Sequence, residues 1–136
     1  MSDKVFFDSN ILIYAYSSDE TSKRECVLNL AKSCNTIIVS TQTINEFINV
    51  MIKKKKMSYS HITLVVNEMC NNFSVEMVDE QVIKKAIAVA IKYSYSYFDS
   101  LMIASALAGN CSILYSEDMH NQHIIEKRLT IINPFK

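Results

Sequence analysis

The sequence predicts an α/β fold built on a central parallel sheet, and three observations predict it. Short runs of β-branched and aromatic residues alternate with longer segments whose apolar residues recur every three or four positions, the signature of strands joined by crossover helices. Gly109 and Pro134 are the only residues of their types in 136, so the frequent turns of an all-β sandwich or barrel have nothing to be made from. Hydrophobic residues make up 49% of the chain and charged residues 21%, a globular balance in a length suited to one domain, 1–136.

The elements follow in order. Lys4 to Phe7 reads as a first strand that ends at Asp8, and Asn10 to Tyr16 as a short helix. Asp19 or Thr21 is placed to cap a second helix running to about Ser33, and Thr36 to Ser40 forms a second buried strand. Thr41 is placed to cap a helix beginning at Gln42, with Ile44, Phe47, Ile48, Met51 and Ile52 on its apolar face and Gln42, Asn45, Glu46, Asn49 and Lys53 opposite. A further helix is expected from Ser58 to Cys70, and a third strand from Phe73 to Val78. Asp79 caps a helix whose core face is Val82, Ile83, Ala86, Ile87, Ala90 and Ile91. Phe98 to Ala108 is apolar nearly all round, hence a buried helix, ended by Gly109 and Asn110. Cys111 to Tyr115 and Leu129 to Ile132 complete about five short strands.

Several functional classes are excluded early. Lys plus Arg and Asp plus Glu number 14 each, so no basic excess announces a nucleic-acid binder, and any such role rests on local charge. Cys26, Cys34, Cys70 and Cys111 lack C-x-x-C spacing and neighbouring histidines, which reads as small core residues in a reducing compartment and not as a zinc site. Asp3, Lys4 and Asp8 interrupt the apolar residues that a signal peptide requires, and no run reaches membrane-spanning length, so a cytoplasmic location is expected.

Open parallel sheets bind ligands beyond the carboxyl ends of their strands. Four acids are delivered there from four segments: Asp8 after the first strand, Glu46 one turn into the helix after the second, Asp99 at the start of the buried helix, and Asp118 after the fourth strand. Taken singly, Asp8 and Asp99 suit helix N-termini, Glu46 a solvated face and Asp118 a turn. Taken together, with no basic residue among them, they would repel one another unless a cation joined them. Carboxylate oxygens are hard ligands that suit Mg²⁺ or Mn²⁺, ions that usually bind a substrate phosphate as well.

These segments resemble the motifs of PIN-domain ribonucleases. Phe6-Phe7-Asp8-Ser9-Asn10-Ile11-Leu12-Ile13-Tyr14 is similar to the first, Ser40-Thr41-Gln42-Thr43-Ile44-Asn45-Glu46-Phe47 to the second, Tyr97-Phe98-Asp99-Ser100-Leu101-Met102-Ile103-Ala104-Ser105-Ala106 to the third, and Tyr115-Ser116-Glu117-Asp118-Met119 to the fourth. The four lie in order across nearly the whole chain, whose length resembles the VapC-type toxins of bacterial toxin–antitoxin pairs. The resemblance implies an α/β/α sandwich and an Mg²⁺- or Mn²⁺-dependent endoribonuclease acting on RNA. It also implies a homodimer held in check by a cognate antitoxin protein, and products with 5′-phosphate and 3′-hydroxyl ends. Asp8, Glu46, Asp99 and Asp118 would be its catalytic, metal-binding acids, with Ser9, Asn10 and Ser116 in support. Glu117, a second acid beside Asp118, departs from the pattern and leaves open which of the two faces the metal.

Other features have plainer readings. Lys53 to Lys56 suit phosphate contact or a solvated helix end, the latter slightly favoured except at Lys53. His120 and His123 read as loop residues, and Tyr93, Tyr95 and Tyr97 as packing for an interhelical turn rather than a base-stacking platform. Met51, Met57 and Met69, with Phe47 and Tyr59, read as core or as an antitoxin groove. A receiver or aspartyl phosphatase is disfavoured, because Asp8-Ser9-Asn10 lacks the second acid those chemistries place beside or two residues after the first-strand aspartate. An RNA-processing nuclease without a toxin role, a DNA nuclease and a non-catalytic binding protein on the same fold remain as alternatives.

Overall fold

The structure, a computed structural model, describes residues 4–136; Asp3, used in the argument on a leader segment, lies outside them. Its elements are β1 (Lys4–Phe7), α1 (Ser9–Ala15), α2 (Thr21–Ser33), β2 (Thr36–Ser40), α3 (Thr41–Lys53), α4 (Tyr59–Asn72), β3 (Ser74–Glu76), α5 (Glu80–Tyr93), α6 (Tyr97–Ala108), β4 (Ile113–Tyr115), β5 (Ile124–Ile125) and β6 (Leu129–Ile132). They form one sheet in the order β3-β2-β1-β4-β6-β5. Every neighbouring pair is parallel except β5 and β6.

The period-two alternation of the strands sorts their side chains onto two cores. Val5, Phe7, Ile37 and Val39 point to one face, where Ile11, Leu12, Val27, Phe47, Met51, Ile62 and Met69 from the first four helices cover them. Phe6, Ile38, Leu114 and Ile131 point to the other, against Val89, Met102, Ile103 and Ala106 of α5 and α6. Helices therefore cover both faces, as an α/β/α sandwich requires.

The sheet has six strands where the sequence predicted about five. The missed strand, β5, is two residues long and antiparallel to β6. It is too short to show alternation, and its turn carries no Gly or Asn. Glu126 and Lys127 adopt the left-handed φ values of 52° and 59° themselves. The Glu126 carboxylate receives Lys85, Lys92 and the Tyr93 hydroxyl, which anchors that turn to α5.

Three local expectations also change. Ser40, not Thr41, caps α3: its hydroxyl accepts from Thr43 N–H at 3.1 Å, while the Thr43 hydroxyl accepts from Ser40 N–H at 3.0 Å. Thr41 accepts instead from Val78 N–H, tying β3's exit to α3. Neither Asp19 nor Thr21 caps α2; the N-cap position falls to Glu20, and Asp19 pairs with Lys55. Gly109 ends α6 at an ordinary φ of −81°, and Asn110 takes the left-handed turn at 58°. A Cβ at position 109 would lie 3.2 Å from Ile38 Cδ1, so the glycine spares that side chain a shift of a few tenths of an ångström.

The α5 core face is narrower than its pattern suggests. Val82, Ala86 and Val89 are buried, whereas Ile83, Ile87 and Ile91 are 40%, 50% and 79% exposed. Ala86 and Ala104 of α6 are both fully buried, and small residues at this contact let the two helices approach closely along that edge. The isoleucine row, spaced by one helical turn, is left on the outside. Cys70, expected inside, is exposed on α4, while Cys111 is buried.

Candidate active site

The sheet order locates the site. From β1 the chain moves outward through β2 to β3, then returns to place β4 on the other side of β1. The crevice at the carboxyl ends of β1 and β4 is thus the topological switch point. Asp8 leaves β1 there, its backbone N–H donating to Tyr115 O of β4 at 3.0 Å.

Asp8 is buried, and each of its oxygens is held: Oδ1 accepts from Ser9 N–H at 2.7 Å and Oδ2 from the Ser116 hydroxyl at 2.8 Å. It serves as the N-cap of α1, as the helix-cap reading expects, at the carboxyl end of β1. Ser116 also accepts from Asp118 N–H at 3.3 Å, which links the β1 and β4 loops through one hydroxyl.

Glu46 is positioned by the α3 cap. With the cap fixed at Ser40 and Thr43, Glu46 falls one turn later and faces the crevice, where Oε1 accepts from the Ser9 hydroxyl at 2.8 Å and Oε2 from Gln42 Nε2 at 3.1 Å. Both cap residues are fully buried. Ser40→Ala leaves the Thr43 N–H without its acceptor, and is expected to cost about 1–2 kcal/mol in urea unfolding and to free Glu46 from Ser9.

Asp99 sits in the first turn of α6, whose N-cap Ser96 accepts from Asp99 N–H at 3.2 Å. Asp118 is exposed, with Oδ2 accepting from Asn10 Nδ2 at 2.8 Å. Asn10 also receives Glu117 N–H through Oδ1, at 3.5 Å.

Electrostatics tie the acids together. Burial pushes the Asp8 carboxyl up to about 7, against the hydrogen bonds from Ser116 and Ser9, and the charges of Asp99 and Glu46 push in the same direction. Asp99 is also raised, by burial first and then by Asp118 and Glu46, with Ser96 opposing. The four acids thus share one field. Among the described residues, no three His, Cys, Asp or Glu side chains lie together as a group that could hold a metal ion as placed. Burial and neighbouring carboxylate charge together penalise the charged forms of Asp8 and Asp99, a cost a hard divalent cation would offset in this all-oxygen donor set, so the chemistry of these residues fits such an ion.

Glu117 points elsewhere. Burial disfavours its charge, but hydrogen bonds from Lys23 and Tyr14 outweigh this and hold its carboxyl below the usual range. Of the adjacent acids, Asp118 is the one that Asn10 holds toward the crevice. His120 and His123 stack with Tyr95, at 5.7 Å between ring centroids in each pair, and His123 Nδ1 bonds the Tyr95 hydroxyl, as loop packing predicts. Lys53 to Lys56 are all exposed.

The PIN domain family matches residues 5–125, which include all four acids. The chain belongs to the PIN-domain family. No curated protein matches this PIN chain. Its fold is similar to that of three solved structures. A toxin–antitoxin complex from Klebsiella pneumoniae superposes with a TM-score of 0.69 at 19% identity, over 97% of this chain and 98% of the other. VapBC2 from Rickettsia felis, bound to a promoter DNA fragment, gives 0.66 at 18% identity, over 96% and 99%. VapC20 of Mycobacterium tuberculosis, a toxin that cleaves the sarcin–ricin loop, gives 0.63 at 11% identity, over 81% and 86%.

Sequence reading included Tyr14 and Gln42 in its motifs without giving them a role, and passed over Lys23 and Ser96. Ser96 carried a usable signal, a serine three residues before an acid at the head of an apolar helix. Gln42 and Tyr14 each lie four residues from a predicted site residue on the same helix, Glu46 and Asn10. Lys23 carried none, because only the tertiary fold brings α2 beside the β4 loop.

Proposed function

We propose that this PIN domain is a divalent-metal-dependent endoribonuclease and the toxin of a type II toxin–antitoxin pair. The observation that carries the reading is the electrostatic coupling of acids around the β1–β4 switch point: burial above all makes Asp8 and Asp99 reluctant to ionise, with the charges of Asp99 and Glu46 adding at Asp8 and those of Asp118 and Glu46 adding at Asp99. Asp8, Asp99 and Asp118 hold Mg²⁺ or Mn²⁺, and Glu46 completes the site or orients water. When bound, the ion supplies an activated water and offsets charge on the scissile phosphate. Ser116 and Ser9 keep the Asp8 and Glu46 carboxylates turned inward, and Asn10 does the same for Asp118.

Labelled RNA incubated with the purified protein tests the reading. Cleavage is expected with Mg²⁺ or Mn²⁺, and is lost with EDTA and in Asp8→Asn and Asp99→Asn. Products should carry 5′-phosphates; 2′,3′-cyclic ends would mean attack by the RNA's own 2′-hydroxyl and would contradict the site.

Two surfaces support the partners. A cleft of about 660 Å³, whose apolar lining of Leu12, Val27, Leu28 and Phe73 is joined by Arg24, Lys32 and Glu68, suits an amphipathic segment of an antitoxin, and similar folds occur in toxin–antitoxin complexes. The exposed Ile83, Ile87 and Ile91 row suits a homodimer. Ile87→Glu is expected to halve the mass seen by light scattering while the circular dichroism spectrum stays unchanged. No helix among the described residues is long and apolar enough to cross a membrane, and a cytoplasmic setting agrees with the free cysteines.

A further inference from the structure

Glu117 lies between Ser116 and Asp118, two residues whose side chains build the site, yet its own carboxylate is fully engaged on the far side of the loop. Oε1 accepts from the Tyr14 hydroxyl and Oε2 from Lys23 Nζ, each at 2.5 Å. Lys23 Nζ also donates to the Tyr14 hydroxyl at 3.2 Å, so the three groups close a triangle. The ammonium lies 4.7 Å from the Tyr14 ring centroid and 5.3 Å from that of Phe135, and those two rings meet edge to face at 5.4 Å. Lys23 is therefore seated in an aromatic corner, unlike a freely moving surface lysine.

The main chain of Glu117 is held as well. Its N–H donates to Asn10 Oδ1 at 3.5 Å, and its carbonyl accepts from Asn133 Nδ2 at 3.4 Å. Asn10 then reaches Asp118 Oδ2 with its amide. Asn10 and Tyr14 are one helical turn apart, so a single face of α1 grips both acids, Glu117 by Tyr14 and Asp118 by Asn10. Lys23 supplies the only cation in this grip, and it comes from a different helix.

We infer that Lys23, with Tyr14, is a positioning residue that tethers Glu117 away from the acidic crevice and thereby fixes Asp118 as the acid the β4 loop presents to the metal. The nuclease reading is needed only for the metal half of this inference; the tether is a property of the metal-free protein. Lys23 donates to Glu117 and to the Tyr14 hydroxyl, so it acts through Glu117.

The two roles open to Glu117 predict opposite signs. If Glu117 is a tether, Lys23→Met and Glu117→Ala each loosen the loop, each weakens Mn²⁺ binding about tenfold, and the double variant is no worse than either alone. Lys23→Arg restores binding. If Glu117 is instead a ligand in waiting, Lys23→Met releases it toward the ion and strengthens binding or leaves it unchanged, whereas Glu117→Ala weakens it. Isothermal titration with Mn²⁺ separates these outcomes, and the second pattern overturns the inference.

A metal-independent measurement accompanies it. In the wild-type spectrum without metal, the Asn10 side-chain amide protons are expected away from solvated-amide positions, because they bond Asp118. In Lys23→Met and Glu117→Ala they should move toward those positions. An Asn10 signal unmoved in both variants overturns the tether. A wild-type protein that binds no Mn²⁺ but shows this shift refutes the metal reading while leaving the tether in place.

Discussion

Asp8→Asn is expected to abolish RNA cleavage and, at the same time, to make the metal-free protein more stable at neutral pH. Both effects have one cause. Asp8 is buried beside two other acids, and its carboxyl is held up at about 7 in the folded chain against 3.8 for an ordinary aspartate. Between those values the folded state binds a proton that the unfolded state has released. Stability therefore falls as pH rises from about 4 to about 7, and the loss is complete above 7. A gap of about three pKa units corresponds to about 4 kcal/mol at pH 8. Asparagine carries no charge and keeps the shape: its oxygen can still accept from Ser9 N–H, and its amide can donate to the Ser116 hydroxyl. Allowing for weaker neutral hydrogen bonds, a gain of about 3 kcal/mol over wild type is expected in EDTA at pH 8, shrinking to nothing near pH 4. Urea unfolding across that range measures it. A variant less stable than wild type at pH 8 would show that the acids at this crevice carry no electrostatic strain.

The fold was legible because its pattern is carried by runs long enough to count. The strands at Lys4–Phe7 and Thr36–Ser40 and the apolar helix before Gly109 are bounded by caps and breakers visible in the chain, and the structure keeps them nearly residue for residue. The features that stayed hidden have specific causes. β5 is two residues long, and its left-handed turn is built from Glu126 and Lys127, held by donors from α5. In α5 two apolar rows overlap at helical spacing, and it is the packing of α6, Leu101 and Ala104 against Val82 and Ala86 and Met102, Ile103 and Ala106 in the cluster of Val89, that takes one row inside. Asp8 and Asp118 could be assigned to the ends of strands, and Glu46 and Asp99 to the first turns of helices, because those element boundaries are visible in the chain. What orients them could not: Ser9 reaches Glu46 across 37 positions, and Asn10 reaches Asp118 across 108. The choice between Glu117 and Asp118 was open in sequence for the same reason, since Lys23 lies 94 positions from its partner.

The second large effect concerns the ion itself. Mn²⁺ is expected to bind with an affinity that climbs about tenfold per pH unit below 7 and levels off above it, because a ligand carboxyl must lose its proton before it can coordinate. Asp8, at about 7, is the group that sets this limit. Titrations at pH 6 in two buffers of different ionisation enthalpy should find close to one proton released per ion bound, falling toward zero by pH 8. Saturation to 100 times the dissociation constant at pH 8 should stabilise the protein by about 2.7 kcal/mol, offsetting much of the strain at Asp8. Asp99→Asn separates the two contributions of its neighbour. It removes a coordinating oxygen charge, so binding weakens, and it also removes part of the repulsion that raises Asp8. The pH at which affinity levels off should therefore move down in Asp99→Asn even as the plateau itself falls. An affinity that is flat from pH 5.5 to 8, or a level-off point unchanged by Asp99→Asn, would mean that the ion does not meet Asp8 and that the four acids do not act as one site.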